Sequence, residues 1–296
     1  MLMKNIIKAT AGIGFCFFAA LLNSPNQASA NECPTNPGST YFNTNGSCYI
    51  TPDVYKVTIY EMGLCLSDPL EGTYHNDGGQ TFTDYVIDES TCAPTYKNSN
   101  GLLVNLAEDG SQTLTGGTDI RPSAGSYPHA YVKIKNVFGL KGSYILGGTT
   151  YYSKSVIQNG AVNGVSDTQE ANYTEWNETL VDFDKGSECE PLEENRWMAV
   201  SETFNTGITG TMKAVLSHLS NGKYFGTMQA DCGNSTRIFG SFAPTNPIII
   251  SSETQGLQVT FTITDKGLSV IGGTTNGKAV VSRFSSGPFV PGFETF

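Results

Sequence analysis

Basic residues, histidine and helix-forming runs are all in short supply in this chain. Lysine and arginine number 17 against 27 acidic residues, for a formal net charge of −10, and charged residues make up only 15% of the sequence. A surface of that sign argues against nucleic acid and anionic membranes as partners, because both recruit basic patches. The three histidines, His75, His129 and His218, form no His-Glu-x-x-His and no pair at metal-binding spacing. Cys-x-x-Cys is absent as well, which argues against a zinc cluster. There is no Gly-x-Ser-x-Gly elbow for a serine nucleophile. The diglycines Gly116-Gly117, Gly147-Gly148 and Gly272-Gly273 lack the Lys-Ser/Thr ending of a phosphate loop and read as turns or bulges. A catalytic carboxylate pair stays open, since its separation of about 5–10 Å is set by the fold and not by spacing.

After residue 30 no apolar run is long enough to cross a bilayer as a helix. Before it stands a secretory pattern. Lys4 and Lys8 form a positive start, residues 9–22 are apolar, and Ala28 and Ala30 are the small residues a signal peptidase accepts. Residues 1–30 therefore read as a cleaved signal peptide, and the protein as exported to a periplasmic, cell-surface or extracellular location. Its removal, with two lysines, takes the 296-residue chain to 266 residues and the net charge from −10 to −12. It also removes Cys16 and leaves six of the seven cysteines. An even count in an oxidising compartment reads as three disulfides. The local pairing is expected: Cys33–Cys48, Cys65–Cys92 and Cys189–Cys232. The first would contribute roughly 3 kcal/mol on the chain-entropy account.

What the chain does have is turn chemistry. Asn-Gly or Asp-Gly occurs at Asn45-Gly46, Asp77-Gly78, Asp109-Gly110, Asn159-Gly160, Asn163-Gly164, Asn221-Gly222 and Asn276-Gly277. These dipeptides accept the positive φ of hairpin turns at least cost. Alternating apolar residues flank several of them. Leu257, Val259, Phe261 and Ile263 alternate with Gln258, Thr260, Thr262 and Thr264, which gives a strand with a threonine-rich wet face. Tyr55, Val57 and Ile59 share one face of a second strand, and Ala130, Val132 and Ile134 of a third. Residues 168–182 and 192–201 are the two places where a short helix fits. The fold class is all-β: antiparallel sandwich or meander sheets in one or two domains, stapled by disulfides. The acidic stretch 186–194 divides an N-terminal sandwich unit, residues 31–186, from a C-terminal antiparallel unit, residues 187–296.

Ala124-Gly125-Ser126-Tyr127, followed by the strand from Tyr131 to Lys135, resembles the "Gly-x-Tyr then strand" corner of prealbumin-like sandwiches, which occur in surface proteins and adhesin stalks. The resemblance covers about a dozen residues and implies a sandwich in the N-terminal half.

No catalytic residue and no cofactor is predicted. Calcium is the one metal candidate, on the acidic cluster Asp182, Asp184, Glu188 and Glu190, whose hard oxygen ligands lie in a loop. Tyr151-Tyr152 is a candidate platform for stacking on sugar rings. The apolar tail Phe289, Phe293 and Phe296 reads either as a core strand or as a strand offered to a neighbouring molecule. The leading functional reading is a non-enzymatic secreted or cell-surface structural or adhesive protein, with itself or surface glycans as partner. A carbohydrate-binding or carbohydrate-active protein is the second reading and an outer-membrane barrel the third. Gly292 and Glu294, on the same face as the terminal Phe296, break the barrel's C-terminal pattern. Mass spectrometry of the mature, unreduced protein is expected to show a loss of about six hydrogens and no alkylatable thiol; two reactive cysteines would refute three bridges.

Overall fold

The computed structural model describes residues 4–9, 32–71, 86–108, 110–158, 161–183, 199–205, 209–220, 223–226 and 233–296, with backbone alone at 4–9, 71, 86, 110–111, 199–205 and 223–226. The fold is all-β. No α-helix occurs among the described residues, and the helical pieces are single 3-10 turns such as Tyr41–Asn43 and Glu170–Asn172. Where a short helix would fit within 168–182, the chain forms that second turn and a strand. From Trp176 to Leu180 buried and exposed residues alternate, a period of two that a helix cannot satisfy. Of 192–201 only the last three residues are described, and they are strand.

The largest sheet runs β15 (Trp176–Thr179), β11 (Val137–Lys141), β3 (Val54–Cys65), β10 (His129–Lys135), β19 (Arg237–Pro244), β17 (Thr209–Ser220), β16 (Ala199–Asn205), with β6 (Cys92–Asn105), β8 (Thr118–Asp119) and β18 (Lys223–Gly226) attached at its margins. A second sheet runs β12 (Ser143–Leu146), β13 (Thr149–Gln158), β14 (Ala161–Asp167), β23 (Lys278–Ser286), β22 (Leu268–Thr275), β2 (Ser47–Ile50). A third runs β24 (Val290–Thr295), β21 (Gly256–Thr262), β1 (Lys4–Ala9), β7 (Gly110–Thr113). Two pairs complete the set: β20 (Ile248–Ile250) with β9 (Gly125–Tyr127), and β4 (Leu70–Glu71) with β5 (Val86–Ile87). Among these ladders only β1 on β21 is parallel. Strands from the two expected units share sheets, since β10 pairs with β19, β14 with β23 and β2 with β22.

Turn residues do what their dihedral preferences allow. Asn276 (φ 53) and Gly277 (φ 75) join β22 to β23, and Gly147 (φ 57) and Gly148 (φ 78) join β12 to β13. The sites of Asn159-Gly160 and Asn221-Gly222 likewise join paired strands, though the turn residues themselves lie outside the described set. Asn163-Gly164 is not a turn; it lies inside β14. The Tyr127 hydroxyl folds back onto the Ser123 carbonyl at 2.9 Å and so fixes the corner before β10.

One core joins the sheets. Tyr55, Val57 and Ile59 of β3, Ala130, Val132 and Ile134 of β10, and Leu257, Val259 and Phe261 of β21 are all buried in it. Phe289 packs edge-on against Phe261, with ring centroids 5.2 Å apart, and Phe293 lies 5.8 Å from Phe242. Thr260 and Thr262, expected on a wet face, are half-buried. Phe261→Ala is expected to cost about 3–5 kcal/mol and Thr260→Ala about 1 kcal/mol or less, read as urea midpoints at constant slope. Equal costs would overturn the register of β21.

Candidate functional site

Strand β10 should be half-wet by its alternation, yet both of its faces are covered. Tyr131 and Lys133 point away from the main core and are still only 3% and 6% exposed. The cover is a strap. The chain leaves the large sheet at Cys65 and returns at Cys92, its described residues 66–71 and 86–91 meet as β4 with β5, and a disulfide closes the excursion at its base. The strap's Leu70 and Ile87 pack with Tyr131, Val215 and Phe239 as a second small core on the outer face.

A single extra residue sets up the charges beneath the strap. In the ladder of β10 with β3, Lys133 faces Glu61 and Ile134 faces Ile59, which leaves Tyr60 as a bulge. Tyr55, Val57 and Ile59 face the main core before the bulge, and Met62 and Leu64 after it. Were Tyr60 an ordinary ladder residue instead of a bulge, alternation would drive Glu61 into the main core. With the bulge, Lys97, Glu61 and Lys133 stand side by side on three adjacent strands of the outer face.

The geometry is closely knit. Glu61 Oε1 accepts from the Tyr131 hydroxyl at 2.7 Å and from Lys133 Nζ at 3.2 Å, while Oε2 pairs with Lys97 at 3.2 Å. Lys133 Nζ also reaches Glu89 of the strap at 2.5 Å. The Tyr131 and Phe239 rings stack at 5.5 Å with only 2° between their planes, and Lys133 Nζ stands 5.6 and 5.7 Å from the two centroids. Tyr131 lies across β3 at Gly63, where a Cβ would come within 2.3 Å of its ring. A second anchor lies along the same face. Asp68 of the strap pairs with Lys213 at 2.5 Å and accepts from the Ser241 hydroxyl at 3.0 Å.

These surroundings set the protonation states. Burial pushes the Glu61 carboxyl up, but Lys133, the Tyr131 hydroxyl and Lys97 outweigh it and hold it below the ordinary carboxylate range. Burial and then the Glu61 charge push the Tyr131 hydroxyl well above its usual value, so it stays a proton donor. His129, on the same strand, is held below its usual value first by burial. Another deeply buried acid, Glu178, is raised by burial although Ser285 donates to it at 2.6 Å and the Ser286 N–H donates as well. It ties β15 of one sheet to β23 of another. The network under the strap holds carboxylates against ammonium groups; a cation at Glu61 or Glu89 would have to displace Lys133. A cavity of about 10 Å³ on the opposite side of β10, lined by Met62, Val132, Phe242, Val259 and Phe293 among others, has room for about one water and none for a substrate.

Of the residues predicted from sequence, Cys33–Cys48 and Cys65–Cys92 are bonded. Cys189 and Cys232 lie outside the described residues. So do Asp184, Glu188 and Glu190 of the calcium cluster, while Asp182 is described and buried. No group of three or more metal-ligating side chains occurs among the described residues. The tail is paired within its own chain: β24 runs antiparallel to β21, Phe289 and Phe293 pack on the core, and Phe296 is 47% exposed. No helix among the described residues is long and apolar enough to cross a membrane, which says nothing of a β-barrel. Sequence reasoning missed Glu61, Glu89, Asp68, Lys133 and Lys213 altogether. The available signal was the alternation of Tyr131 and Lys133 beside Glu61 and the cysteines that bracket residues 66–91.

The class that these observations define is an all-β protein stapled by disulfides, with an ion-paired strap across its largest sheet. No protein-family model, no curated protein and no solved structure matches the chain.

Because the folded Glu61 pKa lies below its unfolded value, its stabilisation is present above about pH 4.3 and is lost as pH falls further. Glu61→Gln leaves Lys133 short of a partner and is expected to cost about 3 kcal/mol near neutral pH. It should also flatten the loss of stability on acidification. Unfolding midpoints across pH test both, and an unchanged acid slope would show that Glu61 is not the titrating group.

Proposed function

We propose that the chain is an exported structural or adhesive protein that works through its surface, as a subunit of an extracellular assembly. The observation that carries this reading is an overhanging strand pair. Beyond Tyr152, β13 has no strand partner on its β12 side among the described residues, and β14 meets β23 only at Gly164 and Val165. The arm that extends past these pairings carries Ile157, 74% exposed. An open edge with an exposed β-branched residue is a template for pairing with another chain. The two described disulfides and the leader-like start support export.

A second reading is favoured by one aromatic group. Tyr152 and Tyr173 stand 5.3 Å apart, Lys141 lies over the Tyr173 ring at 4.0 Å, and Asp53 accepts from the Tyr173 hydroxyl. Burial raises the Asp53 carboxyl above its usual value. Half-buried rings beside a carboxyl and an ammonium suit a sugar. Electron microscopy and sedimentation of the native protein, run beside a glycan array, separate the two. Concentration-dependent oligomers or filaments are expected. A strict monomer with a glycan signal lost in Tyr173→Ala would reverse the order.

A further inference from the structure

Strand β1 occupies a place that the leader reading empties. It runs parallel to β21, from Lys4 opposite Gly256 to Ala9 opposite Phe261, and antiparallel to β7. Strand β7 has no other ladder partner among the described residues. Cleavage after Ala30 takes β1 away, frees one edge of β21 and leaves β7 without its neighbour. We infer that this vacated edge of β21 is filled by the β13–β14 arm of a second copy of the chain, and that the leader holds assembly off by occupying the edge until it is cleaved. The inference rests on the export and assembly reading above.

Two observations select the second copy. Ser155, Ile157 and Gln158 of the arm are exposed, and its outer edge is open past Ser155, whose N–H is engaged by the Thr174 hydroxyl. Its sequence, Lys154-Ser155-Val156-Ile157-Gln158, also repeats the pattern of Lys4-Asn5-Ile6-Ile7-Lys8: lysine, a small polar residue, a β-branched residue, isoleucine, a polar residue. In that overlay Ile157 takes the register position of Ile7, opposite Val259, in the row where Leu257, Val259 and Phe261 are buried. Strand addition gives the freed N–H and C=O groups of β21 new partners. The arm and the β21 edge are different surfaces, so the contact is head-to-tail and propagates into a filament unless its rotation closes a ring.

The test compares three forms of the full chain expressed with export: the processed protein, Ala30→Glu with cleavage blocked, and processed Ile157→Asp. Sedimentation should show the processed protein associating with concentration, Ala30→Glu staying monomeric, and Ile157→Asp weakened about tenfold or more. Ile157 is exposed, so the variant's melting temperature should match wild type. A synthetic peptide of residues 1–12 should dissociate the assembly. Equal association of Ile157→Asp with an unchanged monomeric Ala30→Glu would overturn the arm and leave the assembly reading standing. A processed protein that is monomeric at every concentration overturns both, and one that is monomeric yet binds the peptide overturns the second copy in favour of a foreign strand. Association of Ala30→Glu as tight as that of the processed protein overturns the role of the leader.

Discussion

Tyr60 is one residue more than the ladder between β3 and β10 needs, and the two faces of the large sheet follow from it. A strand's side chains alternate wherever its ladder is regular, and a one-residue bulge resets the count, so odd-numbered positions face the core before Tyr60 and the outer face after it. Ahead of Tyr60, strand β3 gives Tyr55, Val57 and Ile59 to the main core. Behind it, Met62 and Leu64 resume that duty, and Glu61, Gly63 and Cys65 turn to the outer face. An ionised carboxylate in the main core would lack any partner at an apolar site, a cost of several kcal/mol. On the outer face the same carboxylate meets Lys133, Lys97 and the Tyr131 hydroxyl.

The strap depends on that exchange twice over. Cys65 must face outward for its bridge to Cys92 to close the excursion, and Glu61 must face outward for Lys133 to stand between it and Glu89. Covering the outer face then converts Tyr131, Phe239 and Val215 from surface residues into a second small core. Apolar burial, a covalent closure and two ionic anchors thus act on one segment. The anchors alone would be weak if they were exposed; Lys133, only 6% exposed, is not.

Much of the fold could be read along the chain because it is local. The alternation of β21, the inward face of β10 and the turn at Asn276-Gly277 are each decided within a few residues. The pairings Cys33–Cys48 and Cys65–Cys92 each join consecutive cysteines, 15 and 27 residues apart, and follow the expectation of local bridges. Legibility stopped where the outcome depends on counting residues in two strands at once. Nothing in the order Ile59-Tyr60-Glu61 marks Tyr60 as the extra residue; β10 does, from 70 positions away in the pairing of Tyr131 with Glu61. The same limit hid the strap's ionic anchors, and it made Asn163-Gly164 look like a turn when the partner strand extends it straight through. Residues 168–182 show the opposite failure: a sequence with no strong period settles into a strand because Trp176, Glu178 and Leu180 each find a buried place.

The bridge between Cys65 and Cys92 joins residues that already face one another in the ladder of β3 with β6. Tension along the chain therefore passes from one strand straight into its neighbour and never loads the strap. About 90 Å of extended length stays out of reach of a pull on the ends, and the Lys133–Glu89 contact carries none of the force. Reducing the bond would restore that slack, so the redox state of two cysteines fixes how far the molecule yields before its sheets are tested.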